Sequence, residues 1–404
     1  MAQMLYDHGM RPANDLVCFS HLRWSWVYQR PQHLMTRAAR DRRVFVFEEP
    51  LGDVERPRLD ITRPARNVTV ATPRIPDGAS NQDRVMIQRD LLDSWLEREG
   101  VRNFTLWFYT PMALPFAGHL EADCIVYDCM DELSGFAGAP AELGGLERQL
   151  FSRCDIVFTG GHSLHESKRR HHSQVHAIPS SVDFEHFAQA RVRDEPDDQA
   201  ALPGPRLGYC GVIDERLDLD LINGISSARP DWQLVFVGPV TKVDPEALPQ
   251  RPNIHYLGAR PYAALPRYLS GWDVALLPFA HNDSTRYISP TKTPEYLAAG
   301  RRVVSTSVRD VVRTFGETGF IEIADEPADF ITAIERCLGD DDPQRQQRVD
   351  RYLAMQSWDR TWARMEALMS RSASAGAARG QSRPQYAGLG VPPPATGSYH
   401  VPLP

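Results

Sequence analysis

The sequence of 404 residues has little cysteine, and its six cysteines stand singly, without a CxxC pair or a His/Cys ligand spacing. Single cysteines within apolar runs indicate buried free thiols in a reducing compartment, and they argue against a disulfide framework or a zinc site. Long apolar runs are also lacking: none approaches about eighteen residues, and MAQMLYDHGMRPAND has no basic region before an apolar core. The sequence therefore predicts a cytoplasmic protein without a membrane span.

An excess of positive charge and a glycine-rich fingerprint are absent as well. The formal net charge of -7 argues against non-specific nucleic-acid binding by the whole chain. Because no GxGxxG motif occurs, a dinucleotide-binding interpretation has little support. With 42% hydrophobic and 24% charged residues, the chain has the composition of an ordinary globular protein and is long enough for two domains.

Short apolar runs alternate with amphipathic stretches along most of the chain. The run DLVCFS predicts a strand buried on both faces, and a loop, a helix near Pro31 and the strand RRVFVFEEP follow it. The pattern continues through FTLWFY, CIVYDC and DIVFTGG, and it starts again at RLGYCG and runs to RRVVST. Alternation of this kind predicts an α/β protein with two doubly wound parallel sheets.

The most informative stretch is RYISPTKTPEYLAAGRRVVST, residues 286–306, which reads as loop, helix and strand. Ser289 and Thr293 are alternative N-caps, and a proline follows each of them, so the helix starts at one or the other. Either start places Lys292 at the positive end of the helix, with Glu295 within one turn, which suits a phosphate and an adjoining sugar hydroxyl. An ordinary helix start with a surface lysine and glutamate is the competing interpretation.

Acidic and aromatic residues follow strands in the first half of the chain. CIVYDC runs directly into Asp128, Asp131 and Glu132, and carboxylates at a strand end can abstract a proton or bind hydroxyls. Capping and solvation account for the same residues equally well. The loop after DLVCFS brings His21, Trp24 and Arg30 to the edge of the sheet where ligands of such folds bind.

These motifs resemble GT-B glycosyltransferases, in particular the clan of glycosyltransferase families 4 and 1. The order NIHYLG, then LPRYLSGWDVALLPF, over about forty residues is the most specific part of the resemblance. SHLRW followed by QRPQHL resembles the acceptor-domain opening of bacterial members, and HAIPSSVDFEHF resembles the IPNGVD-F crossing between the two domains. The resemblance implies two Rossmann-like domains that face an interdomain cleft.

The resemblance also implies domain limits. These are an acceptor-binding domain at 14–188, a linker at 189–205, a donor-binding domain at 206–350 and a helix at 351–370 that crosses back to the first domain. Residues 371–404 are rich in Ser, Ala, Gly and Pro, so we expect a disordered tail.

Roles for single residues follow from the same resemblance. Glu295 matches the glutamate that binds the ribose hydroxyls, and a second glutamate usually stands eight residues earlier, where this sequence has Tyr287. Arg216 matches an arginine that reaches the donor diphosphate, although it also reads as a surface arginine beside two aspartates. The implied donor-binding residues are Gly211, Arg216, Arg260, Ser289, Pro290, Thr291, Lys292 and Glu295. The implied acceptor-binding residues are His21, Trp24, Arg30 and His162, and the catalytic candidates are Asp128, Asp131, Glu132, Arg216 and Lys292.

The implied reaction is transfer of a sugar from a nucleoside diphosphate sugar, with a UDP-sugar favoured, to a hydroxyl of a sugar, a lipid-linked or a small-molecule acceptor. Such an enzyme would act in glycan, glycolipid or natural-product biosynthesis, without a metal or another cofactor. Inversion requires one of the carboxylates as a base, and retention requires none. The alternatives are a GT-B epimerase or phosphorylase and a catalytically silent nucleotide-binding protein.

A basic cluster in HSLHESKRRHH leaves two further interpretations open. It predicts either attraction to an anionic acceptor or membrane surface, or a solvated helix face. The cluster consists of Lys168, Arg169, Arg170, His171 and His172.

Overall fold

The structure, a computed structural model, describes residues 14–339 and 342–379, with side chains described as far as residue 372. The described residues fall into two compact units. The first unit consists of residues 14–129, 142–158 and 364–379, and the second consists of residues 130–141 and 159–363. The short segment 130–141 therefore packs with the second unit although it follows a strand of the first.

The first sheet has eight strands in the described residues. They are β1 (Asp15–Ser20), β2 (Val44–Glu48), β3 (Arg58–Ala65), β4 (Val68–Arg74), β5 (Phe104–Phe108), β6 (Cys124–Cys129), β7 (Ile156–Thr159) and β8 (Val175–Ala177). Their order is β3-β4-β2-β1-β5-β6-β7-β8. Strand β1 pairs in parallel with β2 and β5, and β3 pairs antiparallel with β4. The predicted strand DLVCFS is confirmed, and all of it but the first residue is buried.

The second sheet has six strands, and every pair of neighbours is parallel. They are β9 (Arg206–Cys210), β10 (Gln233–Val237), β11 (Ile254–Tyr256), β12 (Val274–Leu277), β13 (Arg302–Ser305) and β14 (Glu322–Ile323). In the order β11-β10-β9-β12-β13-β14 the chain first winds outward from β9 and then returns to its other side at β12. Ligands of open α/β sheets bind at the carboxyl ends beside such a switch point, so the segments after β9 and β12 are the expected site.

Helices alternate with the strands in both units. They are α1 (Arg30–Ala38), α2 (Asn81–Arg98), α3 (Leu114–Ala117), α4 (Leu143–Arg153), α5 (His162–Lys168), α6 (Phe184–Ala188), α7 (Asp197–Ala200), α8 (Leu219–Ala228), α9 (Leu265–Ser270), α10 (Lys292–Ala298), α11 (Arg309–Val311), α12 (Pro327–Gly339), α13 (Arg345–Leu353) and α14 (Trp358–Arg379). Helix α14 includes residues 371–379 of the tail that was predicted to be disordered, and 380–404 lie outside the described residues. No helix in the described ranges combines the length and hydropathy needed to cross a bilayer.

The basic cluster at 168–172 does not form one helix face. Helix α5 ends at Lys168, whose side chain is only 5% exposed and lies 2.9 Å from Glu132. The next four residues lie beyond the helix end. The sequence pattern missed this because the partner of buried Lys168 comes from a distant segment.

Helix α10 is joined to the end of β9 by one buried side chain. The Cys210 N–H donates to the Tyr296 hydroxyl over 2.7 Å, and this hydroxyl donates to the Cys210 carbonyl over 3.2 Å. Burial raises the pKa of Tyr296 well above its usual value, so the hydroxyl stays protonated. The bonds fix the start of α10 beside the carboxyl end of β9.

All six cysteines are buried free thiols, as predicted.

We expect Tyr296→Phe to lower the free energy of unfolding by about 1–3 kcal/mol, because a buried N–H loses its acceptor. Urea titration measures the effect. Tyr352→Phe is the matched control, since this hydroxyl makes one long bond of 3.4 Å to Thr314 and is partly exposed. Equal losses in the two variants would contradict a special role for the Tyr296 bonds.

Candidate functional site

Helix α10 begins at Lys292 with Thr291 as its N-cap residue, so it starts between the two positions that the sequence allowed. Pro294 is then the third helical residue, where a missing N–H breaks no intrahelical bond. The Lys292 ammonium lies 3.2 Å from a carboxylate oxygen of Glu295 and 3.4 Å from the Thr291 hydroxyl. The lysine and glutamate predicted to bind donor are thus adjacent.

Burial and pairing act against each other on these two charges. Burial raises the pKa of Glu295, and the Lys292 ammonium opposes this rise. Burial also disfavours the charge on Lys292, but its neighbours, Glu295 first among them, favour the charge, and the pKa of Lys292 is raised. Lys292 therefore stays charged. An ammonium has three donors, and among the described residues it has two partners, so one donor is available for an anionic ligand.

Arg216 lies in the segment that follows β9, and Asp214 holds its guanidinium. Nε lies 2.9 Å from one Asp214 oxygen, and Nη2 lies 2.7 Å from the other. Within the described ranges Nη1 has no protein acceptor. Burial disfavours the positive charge on Arg216, whereas the negative charges of Asp214 and, to a smaller extent, Asp131 favour it. The net effect is a raised pKa of Arg216. The Arg216 carbonyl accepts from Ala280 N–H over 2.8 Å, which ties the segments after β9 and β12 together.

Gly211, the first residue after β9, leaves room for the Lys292 side chain. A Cβ atom at Gly211 would lie 3.2 Å from Lys292 Cε and 2.8 Å from the Tyr209 hydroxyl. Both distances are shorter than ordinary van der Waals contact. The predicted donor-binding role of Gly211 therefore has a physical basis in the space that its missing side chain leaves for the lysine stem.

The loop after β11 contains Arg260, one of the predicted donor-binding residues. Arg260 lies 2.8 Å from Asp198 and 2.5 Å from the Tyr268 hydroxyl. Tyr262 stacks on His186 with ring centroids 4.2 Å apart. These contacts to other protein groups hold the loop in place, and the donor-binding role of Arg260 stays a prediction.

The carboxylates at 131 and 132 have different surroundings. Glu132 pairs with buried Lys168 and accepts from the Ser134 hydroxyl over 2.8 Å. Asp131 is partly exposed, and its charge contributes to the raised pKa of Arg216. Of the two, Asp131 lies within electrostatic range of a cation of the candidate site. No group of three or more His, Cys, Asp and Glu side chains able to hold a metal occurs in the described part of the chain.

Four of the candidates lie in the first unit: His21, Trp24, Arg30 and Asp128. Asp128 is fully buried, and its two oxygens lie 2.9 and 3.0 Å from Nη2 and Nε of buried Arg30. Burial raises the pKa of Asp128, and Arg30 opposes the rise. His21 and Trp24 are partly exposed in the loop after β1. The backbone N–H of Trp24 donates to the Glu48 carboxylate over 2.7 Å. Their predicted acceptor and catalytic roles stay predictions.

Two residues near Arg216 were missed by the sequence reasoning. The Phe136 ring centroid lies 5.9 Å from the Arg216 guanidinium carbon and 4.9 Å from the Lys242 ammonium. Lys242 has a φ of 55°, which is rare for a residue with a side chain and is found more often at functional sites. Its position after β10, at a strand's carboxyl end, is the one sequence signal that could have pointed to it.

The turn before α5 also lies at this site. His162 is exposed, and a Cβ atom at Gly161 would lie 2.8 Å from Ser289 Cβ. The close approach at Gly161 is therefore to other parts of the protein. Ser289, Pro290 and Thr291 lead from this contact into α10.

Known proteins resemble this chain in sequence and in fold. The family profile described as glycosyl transferases group 1 matches residues 204–340, the part that contains the second sheet. The chain is 25% identical over 273 residues to TuaH of Bacillus subtilis strain 168, a protein named as a teichuronic acid biosynthesis glycosyltransferase, and this covers 63% of the chain and 68% of TuaH. The chain is a glycosyltransferase.

Solved structures establish the fold of this glycosyltransferase. Sucrose-phosphate synthase from Thermosynechococcus elongatus has a TM-score of 0.68 at 15% identity, over 90% of this chain and 100% of that one. A trehalose-6-phosphate protein from E. coli bound with UDP-2-fluoro glucose has a TM-score of 0.65 at 13% identity, over 89% of this chain and 99% of that one. The glycosyltransferase has the GT-B fold, as the sequence motifs predicted.

Proposed function

We propose that the protein transfers a sugar from a nucleoside diphosphate sugar, preferably a UDP-sugar, to an acceptor hydroxyl. The observation that carries the proposal is that the Lys292–Glu295 pair and Arg216 lie beside the switch point of the second sheet, where Arg216 is close enough to Lys292 to affect its pKa. An ammonium and a guanidinium with unused donors suit a diphosphate, and a carboxylate suits ribose hydroxyls.

The proposed chemistry breaks the bond between the anomeric carbon and the diphosphate oxygen, and its electron pair passes to that oxygen. Lys292 and Arg216 stabilise the growing negative charge, since donors held in place by Glu295 and Asp214 need no rearrangement. The acceptor oxygen forms the new bond to the anomeric carbon. For an inverting enzyme we propose Asp131 as the base that takes the acceptor proton. The anomeric configuration of the product tells whether the enzyme inverts, and the Asp131→Asn variant tests the choice of base.

The relatives support the donor and the setting. The E. coli structure contains UDP-2-fluoro glucose, and another GT-B structure, HepE from Anabaena with a TM-score of 0.61, is in complex with UDP. TuaH is named for teichuronic acid biosynthesis, which supports an acceptor in glycan biosynthesis. We therefore propose a sugar or lipid-linked glycan as the acceptor.

A thermal-shift panel of UDP, GDP, TDP and ADP, each with its sugars, tests the proposal. A ligand that binds the folded protein raises its melting temperature by mass action, so we expect the largest rise with UDP and a UDP-sugar. Release of UDP that depends on an added acceptor separates transfer from epimerisation, and independence from inorganic phosphate separates it from phosphorolysis. No shift with any nucleotide would contradict the proposal.

We expect Glu295→Ala to weaken nucleotide binding by about 1–3 kcal/mol, because a carboxylate that accepts ribose hydroxyls makes charge-assisted hydrogen bonds. Isothermal titration with UDP measures the loss. The matched control is Glu322→Ala, which removes a more exposed glutamate of the same unit that pairs with Arg336 at 2.7 Å. Unchanged affinity in Glu295→Ala would remove this residue from the donor site.

A further inference from the structure

A buried aspartate that follows β13 contacts the backbone on both sides of His162, at Gly161 and Ser163. Asp310 is 2% exposed, and it lies in the segment after β13. One of its oxygens accepts the Ser163 N–H over 2.9 Å and the Ser163 hydroxyl over 2.5 Å, from 147 residues away in sequence. A buried carboxylate is costly unless hydrogen bonds compensate for the lost water, so Asp310 needs its bonds to Ser163. Because Ser163 is the second residue of α5, these bonds hold the start of the helix in place.

The same carboxylate sets the position of Gly161. A Cβ atom there would lie 2.2 Å from the other Asp310 oxygen and 2.8 Å from Ser289 Cβ. The backbone of the turn is therefore packed between Asp310 and the segment that leads into α10. The Thr159 hydroxyl donates to the Gly161 carbonyl over 3.0 Å and closes the turn from inside.

Two arginines next to Asp310 reinforce the contact on the surface of α5. Arg309 and Arg313 each lie 2.8 Å from an oxygen of Glu166. Residues Val312–Gly316 form a π-helical turn, an irregularity that is frequent at functional sites. The segment 309–313 thus contacts α5 at two places. The buried Asp310 carboxylate binds its first turn, and the exposed ion pairs of Arg309 and Arg313 bind its second.

We propose that Asp310 is a positioning residue for sugar transfer. Its carboxylate holds the turn at 160–162 against Ser289, and this places His162 beside the donor-binding residues of α10. The inference rests on the proposed function, because the consequence of the contact is measured in the transfer reaction. Asp310 itself touches no substrate, and it acts through the backbone of Gly161 and Ser163.

The first test compares Asp310→Ala with Asp310→Asn and Ser163→Ala. We expect Asp310→Ala to lower kcat by about tenfold to a hundredfold, since a small misplacement of a positioned group has effects of this size. The melting-temperature rise caused by UDP and the KM for the donor should change little, because the side chains of Lys292 and Arg216 are held by Glu295 and Asp214 and not by Asp310. Asp310→Asn should regain part of the rate, since its amide oxygen can accept the Ser163 N–H, and Ser163→Ala should cause a smaller loss.

Asp325→Ala is the matched control. Asp325 also accepts the N–H and the hydroxyl of a serine, Ser307, at 2.8 and 2.7 Å, but it is exposed, and its other partner is His281. We expect kcat within about twofold of wild type in this variant. An equal fall in kcat for Asp325→Ala and Asp310→Ala would overturn the proposal, because loss of any such cap would then suffice.

A double-mutant cycle with His162→Ala distinguishes positioning from general destabilisation. If Asp310 acts through the turn, Asp310→Asn lowers kcat by no more than about twofold once His162 is absent, whereas independent effects would multiply. Multiplying effects overturn the inference, as does wild-type kcat in both Asp310→Asn and Ser163→Ala. If Asp310→Ala does not fold, these two milder variants decide. A wild-type protein that transfers sugar while the variants match it removes only this inference, and a wild-type protein that binds no nucleotide removes the proposed function as well.

Discussion

Replacing Lys292 with alanine is expected to lower kcat by about a hundredfold or more and to raise the KM for the donor much less. The reason is that the ammonium stabilises charge that grows on the diphosphate as the sugar leaves. A contact that held only the ground-state diphosphate would raise KM and leave kcat unchanged. Steady-state kinetics with the donor varied at saturating acceptor separates these cases. Arg216→Ala is expected to behave in the same way.

The controls for Lys292→Ala address its pairing with Glu295. Lys292→Arg keeps a positive charge beside Glu295 and should retain more of the rate, whereas Lys292→Met removes the charge and keeps most of the volume. If Lys292→Met matched wild type in both kcat and KM, the lysine would have no part in the site. A fall in melting temperature without a kinetic change would make it a structural residue.

The second large effect is expected in the first unit, where Arg30→Met should lower the free energy of unfolding by about 3–5 kcal/mol. This change leaves Asp128 as an uncompensated carboxylate at a position with no solvent exposure. The double variant Arg30→Met and Asp128→Leu should recover most of the loss, because apolar groups of similar volume replace both charges. Urea titration of the single and double variants measures both results.

The same residues test the catalytic role that the sequence allowed for Asp128. A folded Asp128→Asn protein that retains wild-type kcat would leave the pair with Arg30 a structural one. Asp131→Asn is the comparison, and for an inverting enzyme it should lose most of its kcat with little change in stability, since Asp131 is partly exposed. A wild-type rate in Asp131→Asn would contradict its assignment as the base.

The strands, and their alternation with helices, were predictable from the sequence because of the way the strands are buried. Strands covered on both faces read as continuous apolar runs, and DLVCFS, VFVFE and CIVYDC are almost entirely buried in the structure. Lys292 and Glu295 could also be found, since a helix start is a local feature of the chain. The spacing of three residues between them brings their side chains together without help from the rest of the fold.

Other parts of the site depended on residues far apart in sequence. The sequence allowed two starts for α10, and the bonds between Tyr296 and Cys210 help to fix the helix beside β9. The sequence placed Lys168 in a basic cluster, whereas in the structure its side chain is buried and pairs with Glu132. This pair forms only because the two segments pack together. No local pattern records a partner from another segment.

By itself, then, the sequence determined the α/β class, the two sheets and the local pair of lysine and glutamate, because short-range periodicity and helix geometry decide these features. Tertiary structure decided which carboxylates are paired and what surrounds the turn at His162. The contact between Asp310 and Ser163 spans 147 residues. The local sequence around either residue contains no pattern that predicts the contact. Long-range hydrogen bonds of this kind form only when the strands and helices that carry them have packed, and they are therefore a property of the fold as a whole.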